Sequence, residues 1–225
     1  MCSMLAGVGL PDRASVAGSG RAVVPAPGPE LREIAGKVAP VALAGEQLLP
    51  VAPALERLFP GKGMRRGTVV GVTGSVALAL AVLVGPSQAG SWTAVVGMPD
   101  LGALAADELG VDLARCALVP EPGPTWPTVV AALLDAIDVV AVRPPGGRVR
   151  ATDARRLAAR ARERGSVLVV VGAWPEGPDV RLTAAGVEWR GLDQGHGALT
   201  GRRLSVVGSG RGAAARERRA TVDLP

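Results

Sequence analysis

Apolar and polar positions change period several times along this chain. Thr68 to Val72 is mostly β-branched and almost wholly apolar, the pattern of a strand buried on both faces. Thr73-Gly74-Ser75 follows as a turn with a helix cap, and Val76 to Val84 is apolar on every side. A helix of that kind has to be buried all round. Ser91 to Val96 is the next strand, with Trp92 near its start, and Pro99-Asp100 opens a helix through Leu109 that Gly110 ends. Cys116 to Val119 is a short strand. Thr125 stands where it would cap a helix from Trp126 through Ala136, with Pro127 in the first turn. Val139 to Val142 is another buried strand, Thr152 precedes a helix that Gly165 closes, and Ser166 to Val171 is the most apolar strand of all. This alternation predicts an α/β fold with a mainly parallel sheet covered on both sides.

The pattern changes at both ends. After Ala173 the chain reads as short strands joined by Gly-rich turns, an antiparallel extension at the sheet edge. Within it GRGAAARERR is a loop and RATVDLP a returning strand. Upstream, EQLLPVAPALERLF places Leu48, Val51, Leu55 and Leu58 at helical spacing, with Pro50 and Pro53 bending or dividing the helix. Three regions result: a partly disordered leader at 1–44 with a short helix near Glu30, a core at 45–180, and a basic C-terminal region of edge strands at 181–225.

Charge sharpens this division. Through Val142 the chain has nine Arg and Lys against twelve Asp and Glu; from Arg143 onward it has sixteen against eight. A basic second half points to nucleic acid or an acidic partner surface. The two cysteines, Cys2 and Cys116, form neither a metal pattern nor a disulfide framework. The run Val76 to Val84 is too short to cross a membrane as a helix, so a cytoplasmic protein is expected.

The strand-turn-helix at 68–84 stands where a P-loop would be. Phosphate binding there needs a Gly-rich turn, a Lys against the terminal phosphates and a hydroxyl on the metal. In Gly71-Val72-Thr73-Gly74-Ser75-Val76-Ala77-Leu78, the second motif glycine is Val76, the Lys position is Ala77 and the hydroxyl position is Leu78. The strand Val139 to Val142 runs into Arg143, a cation where a P-loop ATPase carries the metal-orienting acid, and Asp138 lies at its opposite end. These residues predict no cofactor, no metal and no ATP hydrolysis.

With those residues in view, the stretch 60–123 resembles the RecA core. PGKGMRRGTVVGVTG is similar to the approach to its first core strand, LAADELGVDLARCALVPEPG to the segment that leads through a helix and strand to an acidic-proline loop, and LLDAIDVVAV to its Walker B strand. Over roughly 45–220 the chain more closely resembles the actinobacterial ImuA-prime family, through LERLFPGKGMRRGTVV, Trp189-Arg190-Gly191-Leu192, Gly195-His196-Gly197 and Arg202-Arg203. The resemblance implies a RecA-like, nucleoid-associated accessory protein of damage-induced, error-prone translesion synthesis. It also implies a partner related to Y-family DNA polymerases and, indirectly, an error-prone replicative-type polymerase. It assigns the partner contact to the C-terminal region.

The expected partner-binding residues are therefore Trp189, Leu192, Arg202, Arg203, Arg211, Arg216, Arg218 and Arg219. A guanidinium fork suits carboxylate or phosphate. Arg148, Arg150, Arg155, Arg156 and Arg160, before and along one helix, are candidates for phosphate contact with DNA. A protein adaptor, a DNA-binding accessory protein and a residual ATP-binding protein are the three readings. Salt separates the first two, because phosphate binding weakens steeply as salt rises. His196 is read as a turn residue, since no nucleophile or base motif accompanies it.

Overall fold

A computed structural model describes residues 48–191 and 197–225. The leader at 1–44, Cys2, Leu192 and His196 lie outside the described residues.

Strands β1 (Leu48–Pro50) and β2 (Gly63–Arg65) form a small antiparallel ladder. The main sheet takes β3 (Val69–Thr73), β4 (Thr93–Val96), β5 (Cys116–Val119), β6 (Val139–Val142), β7 (Val167–Val171), β8 (Val180–Arg190), β9 (Gly201–Gly210) and β10 (Arg218–Leu224). Its order is β10-β9-β8-β3-β7-β6-β4-β5. β3 lies between β7 and β8 and is parallel to both. Only beyond β8 does direction reverse: β9 runs antiparallel to β8, and β10 antiparallel to β9. The chain is thus a mixed α/β protein with a mainly parallel sheet and antiparallel C-terminal strands.

Alternate residues of each parallel strand enter different cores, as the two-residue period of a strand requires. Val70, Val72, Val95, Val139, Ala141, Val167 and Val169 pack on α1 (Val76–Gln88). Val69, Ala94, Val96, Val140, Val142, Leu168 and Val170 pack beneath α3 (Trp126–Leu134) and α4 (Ala151–Arg164). A shorter helix, α2 (Ala103–Glu108), stands beyond α1. Ten of the thirteen α1 residues are buried, so its absence of a polar face matches its position.

Several local expectations are revised. Leu48–Pro50 is a strand, and only Pro53–Leu58 turns, as a 3-10 helix; the two prolines withhold the donors a longer helix would use. The helix expected from Pro99 begins only at Ala103, after extended Gly102. Thr125 accepts no capping bond, because a 3-10 turn at Gly123–Thr125 runs directly into α3 and leaves no extended cap residue. Thr152 lies inside α4, whose cap position is Arg150. The tail is more ordered than a loop: after a turn at Gly212–Ala214, β10 begins at Arg218 and pairs with β9 along its whole length.

Candidate functional site

β3 runs on to Thr73 and α1 begins at Val76, so only Gly74 and Ser75 connect them. Gly71 lies within β3, paired with Val170 and Arg181, and so takes no part in a phosphate-cradling turn. Its lack of a side chain admits Pro178, whose Cγ lies 2.9 Å from where a Cβ would stand. Ser75 Oγ accepts the Leu78 backbone N–H at 3.2 Å, using a donor that a bound phosphate would need. Gly74 has φ +84°, and the Ala184 carbonyl oxygen lies 2.7 Å from its ideal Cβ position. β8 therefore presses a carbonyl, the wrong polarity for an anion, onto the residual turn. Leu78 is fully buried, Ala77 is buried, and the Thr73 hydroxyl donates to that of Thr183 at 3.1 Å.

At the C-terminal end of β6, Arg143 is held by two neighbouring segments. Arg143 Nη2 donates to Asp100 Oδ2 at 2.8 Å and its Nε to the Gly97 carbonyl at 3.3 Å, joining the ends of β6 and β4. Asp138, at the opposite end of β6, accepts from Arg66 Nη1 at 2.8 Å and from the Trp92 backbone N–H at 3.1 Å. Met98, just after β4, is buried. Among the described residues no three His, Cys, Asp or Glu side chains are grouped to hold a metal.

Beside the residual turn lies an open groove of about 470 Å³. Val76, Ala77 and Leu80 of α1 form its floor. Leu101, Ala105 and Leu109 form one wall, and Val187, Trp189 and Leu204 the other. Among the described residues Arg202 is the only charged one that lines it. The Arg202 guanidinium lies 5.5 Å from the Trp189 ring centroid, and its Nε is buried without a hydrogen-bond partner. Trp189 is 53 % exposed, Val187 48 % and the neighbouring Leu104 69 %, so the apolar surface continues out of the groove. Trp126 and Trp174, by contrast, are core residues.

The C-terminal arginines do not form one patch. Arg202 and Arg203 are consecutive on β9 and face opposite sides of the sheet. Arg203 and Arg190 share Asp223 Oδ1, at 3.0 and 2.7 Å. Arg218 pairs in register with Gly208 while Trp189 pairs with Arg202, so the two ends are separated by about 20 Å at the usual rise per residue. At that far end Arg218 donates to the Arg216 and Ala213 carbonyls, Arg219 is paired with Glu217 at 2.8 Å, and Arg211 and Arg216 are exposed. Leu192 lies outside the described residues.

The arginines of α4 are largely engaged. Arg160 grips Asp135, with Nη2 to Oδ2 at 2.7 Å, and also reaches Glu163 at 3.1 Å. Those carboxylates raise its pKa above the ordinary guanidinium value. Arg164 shares Asp135 at 3.3 Å, Arg155 lies 3.7 Å from Glu176, and Arg156 lies 3.9 Å from Asp153. Arg148 and Arg150 are exposed and make no ion pair among the described residues. The 173–180 loop is fastened down: Trp174 is buried, and Asp179 Oδ2 accepts the Val69 backbone N–H at 2.8 Å.

Reasoning from the sequence singled out Trp189 and Arg202 but missed Val187, Leu101 and Ala105. The alternation Val187-Glu188-Trp189 was the available signal, since it puts two apolar groups on one face of a strand. Nothing in the sequence announced that α2 would face it.

A family model, the MT3502 N-terminal domain, matches residues 57–176. The chain is also 40% identical over 153 residues to the uncharacterized protein Rv3395c of Mycobacterium tuberculosis, covering 64% of this chain and 74% of that protein.

Proposed function

We propose that this chain, which belongs to the MT3502 N-terminal domain family, is a non-catalytic adaptor. Its RecA-like core is structural, and it binds a Y-family polymerase-like partner during damage-induced, error-prone translesion synthesis. The observation that carries this reading is the residual P-loop: α1 is capped by Ser75, covered by the Ala184 carbonyl and continued by buried Ala77 and Leu78. A site so filled offers no charge to phosphate. Beside it the chain exposes an apolar groove with Trp189 on its rim, the residue type that most often anchors protein interfaces. The polymerase-like partner, the setting in translesion synthesis and a cytoplasmic, nucleoid-associated location follow from the resemblance to the ImuA-prime family. Among the described residues no helix is long and apolar enough to cross a membrane.

The test is calorimetric titration of the full chain with the Y-family-like protein of the same genome, at low and high salt. Saturable binding that survives high salt supports the adaptor. Absence of binding by the intact chain removes that reading. Point substitutions suit this test better than truncation, because β9 and β10 contribute buried Leu204, Val206 and Val222 to the core.

A second reading, DNA binding, rests on exposed Arg148 and Arg150. It predicts binding to single-stranded DNA that weakens steeply with salt and is lost on reversing those two charges.

A further inference from the structure

We infer that the outer half of β8 is a docking edge onto which a partner protein adds an extended segment carrying apolar side chains and a carboxylate. The inference rests on the adaptor reading and names its mode of contact. β3 pairs with β8 only from Val180 to Thr183; its chain then turns away through Gly74 into α1. β9 continues beside β8 as far as Arg190. From Ala185 to Arg190, therefore, β8 has a strand neighbour on one side only among the described residues, and every residue of that stretch is exposed.

The outermost strands of the sheet offer less open edges. β5 is four residues long and is followed directly by Pro120, which cannot donate to a further ladder. β10 carries Arg218, Arg219 and Asp223 and has the Pro53–Leu58 turn packed against it. The β8 edge instead presents Val187 and Trp189 on one face, and these are walls of the groove. An added strand would satisfy the open backbone groups and drop alternate side chains between Val187 and Ala105.

Charge selects the occupant. Among the described residues the groove is lined by one ionisable side chain, Arg202, and no acid. Its Nε is buried without an acceptor, while the guanidinium is held over Trp189. A carboxylate on the incoming segment would complement the charge of that guanidinium.

The test uses the full chain and a displayed library of random twelve-residue peptides, so it does not depend on which protein is the partner. Binders should alternate apolar residues and carry Asp or Glu. Their affinity should fall at least tenfold in V187K and in R202Q, and remain within twofold in R219Q at the far end of the sheet. Hydrogen exchange read across residues 184–191 should slow on peptide binding. Binders that are indifferent to V187K, or that leave exchange at 184–191 unchanged, overturn the inference even if the polymerase-like partner binds the intact chain. A failure to select any binder also overturns it. A concentration-dependent dimer abolished by V187K would assign the edge to a second copy of this chain instead. If binders behave as expected but the polymerase-like protein does not bind, the docking edge stands and the proposed partner is wrong.

Discussion

Trp189 and Arg202 face each other across the β8–β9 ladder, the guanidinium 5.5 Å from the indole centroid, at the mouth of an apolar groove. The stack holds an arginine with a buried, unpartnered Nε against an aromatic ring that is more than half exposed. Trp189→Ala removes an exposed cation–π pair and little core packing, so stability should change by no more than about 1 kcal/mol. Affinity for the proposed polymerase-like partner should fall at least tenfold. Thermal melts and calorimetry on the same preparations separate the two effects, and an unchanged affinity would remove Trp189 from the interface.

Placing P-loop residues at the start of α1 should not create a nucleotide site. Ala77→Lys with Leu78→Ser supplies the missing cation and hydroxyl, but Leu78 is fully buried and the turn is still covered by Ala184. Exchanging Leu78 for a hydroxyl should cost roughly 3–5 kcal/mol, from the lost packing and an unsatisfied polar group. ATP with magnesium should give no shift in melting temperature, whereas a bound nucleotide would raise it.

Gly74 is conformationally obligatory. Its φ of +84° and the Ala184 carbonyl oxygen 2.7 Å from the ideal Cβ position leave no room for a side chain. Gly74→Ala should destabilise by about 1–3 kcal/mol through left-handed strain and displacement of β8. Chemical denaturation measures this. A neutral substitution would mean that β8 moves freely off the turn.

Asp138 fastens the N-terminal end of β6 to two other segments, through Arg66 and the Trp92 backbone. Its side chain and that of Arg66 are mostly buried. Asp138→Ala leaves the Arg66 guanidinium without its carboxylate and should cost roughly 2–3 kcal/mol. Pairing it with Arg66→Met should recover part of that loss, a result that equilibrium unfolding of the two variants can check.

Cys116 should be a slow nucleophile. Burial pushes its thiol pKa up; a Thr93 hydrogen bond acts the other way, and the Asp112 charge adds to the rise. A raised value means less thiolate at pH 8, so alkylation by iodoacetamide in a Cys2→Ser background should be severalfold slower than in the unfolded chain. The gap should close as pH rises beyond the ordinary thiol range. Equal rates at pH 8 would contradict the assigned environment.

The parallel core was legible because its strands are continuous Val-rich runs between clear turn signals. Val76–Val84 likewise had only one place to go, since a helix apolar on every side must lie against the sheet. Helix boundaries were less legible. Thr125 and Thr152 have the chemistry of caps, but cap geometry depends on the backbone before them, and Gly123–Thr125 already turns. The C-terminal arginines looked like one surface because they are close in sequence. On paired strands, neighbours in sequence face opposite sides, and positions several residues apart lie at opposite ends.

The amino-acid sequence by itself determined the α/β class, the buried character of α1 and the apolar side chains of Val76, Ala77 and Leu78 at its start. Each follows from local residue type and period, which need no knowledge of distant segments. Only the tertiary structure decided that β8 covers the turn before α1, that Asp135 occupies Arg160, and that Val187, Trp189 and Arg202 share a groove with α2. Those relationships join residues far apart along the chain. Strand order and register set them, and neither is written in the period of any single segment.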